Sequence, residues 1–377
     1  MAGIQQDHVR VFCSISLHIP LPAQGFGHAF AVINIHLAAV CLDEKLLRRC
    51  HGKVPILGVV AAEYQACARL AMRQQLHESV NVSPMEHWMH YDSLDSFLST
   101  GRHALAKGPI AIILVEDDVE VATTLRHHEQ TGFKTILALM PAVFDLPKDL
   151  KAMVHRIDYD ATAEGAVEHA VNAVIAAAPG QWIFYCYNAE YLFFPFCETR
   201  SINEMLAFHT EERRDAMLTY VVDLYADDLS QYPNAVSLDH AHLDRSGYYA
   251  LARKDTDNHD HPKERQLDFY GGLRWRFEEH VPETRRKIDR IGIFRAKKGL
   301  TLNDNHTLSD SEYNTYACPW HNNLTAAICS FRTAKALKTN PGSTFSIESF
   351  KWHNSAPFEW HSRQLLDLGL MEPGQWF

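Results

Sequence analysis

The sequence predicts an α/β protein with a largely parallel sheet covered by helices on both faces. The run Ile110-Ala111-Ile112-Ile113-Leu114-Val115 is apolar without alternation, as a strand buried on both faces must be. A helix-like stretch from Val119 to about Thr131, stopped by Gly132, then delivers the chain into Phe133 to Leu139, a second strand-like run, which completes a βαβ unit. The aromatic run Trp182 to Pro195, with Pro179-Gly180 before it, reads as a further buried strand at the centre of the sheet.

In chain order, residues 1–84 hold half the cysteines and the apolar runs Ala29 to Leu42 and Val54 to Ala62, with no chemical motif. A helix is expected from about Val59 to Leu76, and a loop at Asn81 to Pro84 ends it. Met85 opens an amphipathic stretch to Ala106 and offers a second natural start. Residues 1–84 are therefore expected to be an extension of unknown role, native or not, and 85–377 the α/β domain. The alanine-rich stretch Ala161 to Ala178 carries Val167, Val171, Val174 and Ile175 on one helical face. Ile202 to about His209 predicts a helix, and Ala216 to Tyr225 a strand ending in Asp223. The polar segment from about Gln231 to Gln266 predicts a long mobile loop. Gly271 to Arg276 and Ile288 to Phe294 predict short strands, Leu302 to His306 a polar turn, and Leu324 to Leu337 a helix. Trp360 to Met371 predicts a closing amphipathic helix stopped by Gly369 or Gly374.

Composition narrows the function. A formal net charge of -10 with interspersed signs and no long basic run excludes a surface built to neutralise nucleic-acid phosphates. The eight cysteines stand singly without a C-x-x-C pair, which fits a reduced, cytoplasmic setting and offers no zinc or redox motif. No N-terminal signal peptide is read. The segment from Gly25 to Leu42 has about the length of a membrane span, but carries His28, Asn34 and His36, and is read as buried or interfacial. The pair His240 and His242 lacks a third ligand, and in a chain of 23 histidines such pairs arise by chance. Motifs for a nucleophile elbow, a phosphate-binding Gly-rich loop, a dinucleotide fold or a zinc protease are absent.

What remains are acids at strand ends, where open α/β sheets place ligands. Glu116, Asp117 and Asp118 follow the first strand, and Asp117 and Asp118 serve equally well as N-caps of the next helix. Asn188 and Glu190 fall two apart and share a face on a strand; a chain reversal with a solvated Glu is the alternative.

The ordered blocks of residues 109–377 resemble the bacterial glycosyltransferases of family 2, in the branch with a D-x-D-E-F motif. Val115-Glu116-Asp117-Asp118, Leu125-Arg126-His127-His128 and Thr131-Gly132-Phe133 are similar to that family's opening strand, acid, helix and turn. Glu190-Tyr191-Leu192-Phe193-Phe194-Pro195 with Glu198-Thr199-Arg200, Asp223-Leu224-Tyr225, Asp244-Arg245-Ser246-Gly247-Tyr248-Tyr249 and Gly271-Gly272-Leu273-Arg274-Trp275-Arg276 resemble later blocks. Arg363-Gln364-Leu365, Leu368-Gly369-Leu370-Met371, Gly374 and Trp376 resemble its closing signature. The resemblance implies a GT-A fold, a nucleotide-sugar donor, a glycan or surface-polysaccharide acceptor, Mg or Mn at the D-x-D carboxylates, and peripheral contact with the inner membrane. Tyr187 and Ala189 stand where the two motif aspartates belong, so metal dependence is expected to be weak or absent. By that likeness Asp118, Asn188, Glu190, Asp223, Arg274 and Arg276 are the donor-binding candidates. Glu190 and His306 are the metal candidates, and an acid between Asp255 and Glu283 is the candidate base. A non-catalytic relative that binds a nucleotide sugar, a glycan or a partner protein is the alternative.

Overall fold

The computed structural model describes residues 89–317 and 323–376. The expectations placed on residues 1–84 lie outside the described residues. From there the chain forms β1 (His90–Tyr91), a helical turn at Leu94–Ser96 capped by the Ser93 side chain, and β2 (Ile110–Leu114). Helix α1 (Val121–Thr131) ends at Gly132, whose φ of 104° lets its N–H turn back to the carbonyls of Glu129 and His128. Then come β3 (Thr135–Met140), β4 (His155–Asp158), α2 (Ala166–Ala177), β5 (Trp182–Tyr187), β6 (Glu190–Phe193) and α3 (Ile202–Glu211), the last opened by a capping box of Ser201 and Glu204.

The chain continues through β7 (Ala216–Asp223), β8 (Tyr225–Ala226), β9 (Ala241–Asp244), β10 (Tyr249–Asp255), β11 (His261–Tyr270) and the short α4 (Gly272–Arg276). It closes with β12 (Asp289–Arg295), β13 (Ala326–Ser330), α5 (Arg332–Thr339), β14 (Ser355–Pro357) and α6 (Ser362–Asp367). Among the described residues no helix is long and apolar enough to cross a membrane.

Nine strands form one sheet in the order β1-β4-β3-β2-β5-β12-β7-β13-β6. The half from β1 to β5 is parallel, as expected. The other half is mixed, because β12 runs against both β5 and β7, and β6 runs against β13. Alternate residues of β2 show how the sheet is covered. Ile110, Ile112 and Leu114 pack in one cluster with Val167, Val171 and Val174 of α2, while Ala111 and Ile113 pack in another with Val121 and Leu125 of α1 and Ile202 and Met205 of α3.

Several expectations are corrected. The run from Trp182 to Pro195 is two strands, not one: the chain reverses at Asn188-Ala189, with Ala189 at a φ of 59°, and β6 goes to the far edge of the sheet. The expected loop of residues 231–266 contains β9 and the β10–β11 hairpin. Gly271 to Arg276 is helical from Gly272, and the helix expected from Leu324 is a strand followed by α5. Burial decides that last case. Ala326, Ala327, Ile328 and Cys329 are wholly enclosed between β7 and β6, so pairing on both sides overrides the helix propensity of alanine.

Candidate functional site

A cavity of about 470 Å³ opens where several strand ends meet. Glu116 and Asp117 reach it from the end of β2, Arg332 and Lys335 from α5 just after β13, Arg290 from the start of β12, Arg274 from α4, and Arg285, Asp304 and His306 from the connections on either side of β12. A central sheet whose strands stop here gives these side chains a rigid base.

Beneath the cavity lies Glu190. Its carboxylate is fully buried and accepts hydrogen bonds from Arg290 Nη1 at 2.9 Å, the Tyr187 amide at 2.8 Å and Ser330 Oγ at 2.9 Å. Burial pushes its pKa up, but the Arg290 guanidinium and the Tyr187 amide outweigh that and hold it at about 2. A carboxylate so enclosed and so engaged is structural. It is neither the solvated Glu of a simple reversal nor one of the side chains lining the cavity.

The other strand-end acids are engaged as well. Glu116 accepts a two-pronged bond from Arg332, Nε to Oε2 at 2.7 Å and Nη2 to Oε1 at 2.6 Å, and Arg332 also lies 3.7 Å above the Tyr187 ring. Asp117 receives Lys335 Nζ at 2.8 Å, the Asn188 side-chain amide at 2.6 Å and the Val119 N–H at 3.0 Å. Asn188 is thus a brace: its Oδ1 accepts from the Glu116 N–H at 3.0 Å, tying the β5–β6 reversal to the end of β2. Asp223, almost wholly buried, accepts from the Leu273 N–H at 2.9 Å and lies 3.7 Å from Arg274 Nε. This approach needs Gly272, where a Cβ would stand 2.8 Å from Asp223 Oδ2. Burial raises the Asp223 carboxyl and lowers Arg274. Arg274 is further fixed by Nε donating to Thr333 Oγ1 at 3.2 Å and Nη1 to the Lys287 carbonyl at 2.6 Å.

His306 marks the electrostatic character of the place. Its ring is stacked on Tyr185, with Nδ1 at 3.1 Å from the Tyr185 hydroxyl. This half-buried histidine has a pKa well below the ordinary value because its position is desolvated and because the charges of Arg290, Arg332, Arg274 and Arg285 act on it. Four guanidinium groups share the cavity wall with this imidazole.

Of the residues expected from sequence, Arg274 and His306 line the cavity. Asp118 is exposed and is not among its walls. Asn188, Glu190 and Asp223 support the cavity from below. Arg276 points elsewhere: it binds Asp244 at 3.1 Å and stacks on Trp352. None of the acids from Asp255 to Glu283 reaches the cavity. Sequence reasoning missed Arg290, Arg332 and Lys335, and read Arg285 as part of a solvated basic face. The available signal was a cation directly before or after an apolar strand, Asp289-Arg290 ahead of Ile291 and Arg332 behind Phe331.

Mg or Mn does not suit these donors. Tyr187 and Ala189 bring no carboxylate, Glu116, Asp117, Asp289 and Glu190 are each paired with a cation, which leaves Asp304 as a single cavity-lining carboxylate without one among the described residues, and the four arginines repel a further positive charge. Among the described residues the only trio with ligand-like spacing is His90, Asp92 and Asp158, at the β1–β4 edge of the sheet, where Asp158 already pairs with His90 at 2.9 Å and with Arg156 at 3.3 Å.

No protein-family model matches the chain, and no curated protein matches it.

Proposed function

We propose that the protein is a glycosyltransferase-like protein of the GT-A type, which takes a nucleotide-sugar donor and a glycan acceptor and holds the donor diphosphate on arginine side chains in place of a divalent cation. The observation that carries this reading is the convergence of Arg274, Arg285, Arg290 and Arg332 at the cavity. Guanidinium groups bind phosphate oxygens in pairs and do not deprotonate, so they can neutralise the charge that grows on a leaving nucleoside diphosphate. Arg285 is exposed and makes no ion pair among the described residues, and is available at once.

Transfer also needs a base. Asp304 is exposed, lines the cavity, and has no cationic partner among the described residues, unlike Glu116, Asp117 and Asp289. In this reading Asp304 takes the proton of the acceptor hydroxyl, the acceptor oxygen bonds to the anomeric carbon, and the bond from that carbon to the diphosphate oxygen breaks.

The engagement of Glu116, Asp117, Asp223 and Glu190 favours a second reading, a protein that binds the nucleotide sugar without turning it over. Thermal shift with a panel of UDP- and GDP-sugars in EDTA tests both. A rise in melting temperature that Arg274→Ala abolishes is expected, and no rise across the panel overturns both. Release of nucleoside diphosphate in the presence of glycan acceptors then separates transferase from binder.

A further inference from the structure

We infer that Glu116 is a specificity-determining residue: its carboxylate occupies the Nε–Nη2 edge of Arg332, for which a phosphate group of the ligand competes, so that strongly charged oxyanions are favoured. The inference rests on reading the cavity as an anion site. Glu116 fills the Nε–Nη2 edge of Arg332, at 2.7 and 2.6 Å, inside the cavity wall. A tetrahedral phosphate offers two oxygens at the spacing of a carboxylate, and so is a direct competitor for that edge.

The geometry says which partner yields. Arg332 is held from three sides: its guanidinium lies 3.7 Å over the Tyr187 ring, its backbone N–H donates to Ser330 Oγ at 3.2 Å, and it opens α5 directly behind β13. Glu116 is held at its backbone, where the N–H donates to Asn188 Oδ1, but its carboxylate binds Arg332 alone among the described residues. Its side chain can therefore swing out while the main chain stays. Asp117 differs, because three separate donors fix its carboxylate. The side chains of Glu116 and Arg332 are 22% and 27% exposed, so the exchange takes place at a surface that solvent and ligand reach.

A neutral sugar hydroxyl cannot replace an ionised carboxylate on a guanidinium, and a carboxylate ligand exchanges like for like with no gain. A diphosphate brings more charge and reaches Arg332 together with Arg274 or Arg285. Glu116 thus sets an entry threshold that favours diphosphates over weaker anions.

Titration calorimetry with inorganic pyrophosphate at low salt is the test, on wild type, Glu116→Gln, Arg332→Ala and the double variant, each checked for an intact melting transition. Gln keeps the shape and one acceptor but loses the charge, so Glu116→Gln is expected to bind pyrophosphate about tenfold tighter than wild type. The gain should vanish in the Arg332→Ala background, which a general effect on the fold would not do. Wild-type binding that Glu116→Gln leaves unchanged or weakens overturns the inference and leaves the anion site standing. Absence of pyrophosphate binding in every variant overturns the anion site, and the inference with it.

Discussion

Around β2, β3 and β4 the enclosed side chains are mostly aliphatic, with Ile112, Leu137 and Leu139 wholly shielded, and the enclosed polar ones, Thr135, His128 and His155, include no carboxylate or guanidinium, whereas around β12, β7, β13 and β6 the similarly shielded side chains include Glu190, Arg290, Asp223 and Ser330. Both regions belong to one sheet, and both are closed to water. The first is held by apolar area removed from solvent. The second buries charge, which costs solvation that only close pairing recovers. An interior that retains such groups has a use for the field they create, and here the field faces the cavity. The comparison therefore separates a scaffold from a platform.

The largest expected effect breaks the platform. Arg290→Met leaves the buried Glu190 without its paired cation, held only by the Tyr187 amide and Ser330 Oγ, and should cost about 3–5 kcal/mol of stability, measured by denaturant unfolding. Adding Glu190→Met should recover most of that loss, since no charge is then left unpaired. In the scaffold, Leu137→Ala should cost about 2–5 kcal/mol from lost burial and a residual cavity, and no second substitution across the sheet that removes a charge should restore it.

The buried histidines and Glu190 should also respond at different acidities. His128 and His155 sit in the scaffold with pKa values of about 3 and about 4, driven down chiefly by burial. Their folded values lie below the unfolded value of about 6.5, so their stabilisation is complete above that pH and is lost as the pH falls toward about 4 for His155 and about 3 for His128, when the unfolded chain takes up protons that the folded chain refuses. Glu190 is also depressed, to about 2, so its contribution is present above the ordinary carboxylate value and disappears only between about pH 4.5 and 2. Unfolding free energy measured against pH should show two descents, and His128→Gln should flatten the upper one alone.

How far the chain could be read without coordinates divides along the same line. The β2–α1–β3 unit was legible because an apolar run, a helical period and a stopping glycine all agreed there. The second half misled where long-range pairing overrode local pattern. Ala326 to Ser330 reads as helix by composition but inserts between β7 and β6, and the polar residues from Tyr249 to Tyr270 pair with one another as a hairpin. At the site, Arg274 and His306 were found. Arg332 and Arg290 were not, because their place beside Tyr187 is set by which strands become neighbours, and a single sequence does not carry the order β5-β12-β7-β13. The acids were legible as strand-end acids, but of their cationic partners only Arg274, beside Asp223, was.

The smallest expected effect sharpens the boundary of the platform. Arg276 belongs with Asp244 and Trp352, away from the cavity. Arg276→Gln should lower the melting temperature yet leave nucleoside diphosphate affinity within about twofold of wild type, as expected for a site that shares no partner with the ligand.

On the proposed function, arginine side chains, and no divalent cation, hold the anion. The most direct test is calorimetric titration of UDP and GDP into the protein in EDTA and again in Mn. Equal dissociation constants in the two buffers, with binding weakened at least tenfold by Arg274→Ala, is the predicted result. Binding that appears only with Mn, or that survives Arg274→Ala unchanged, would contradict it.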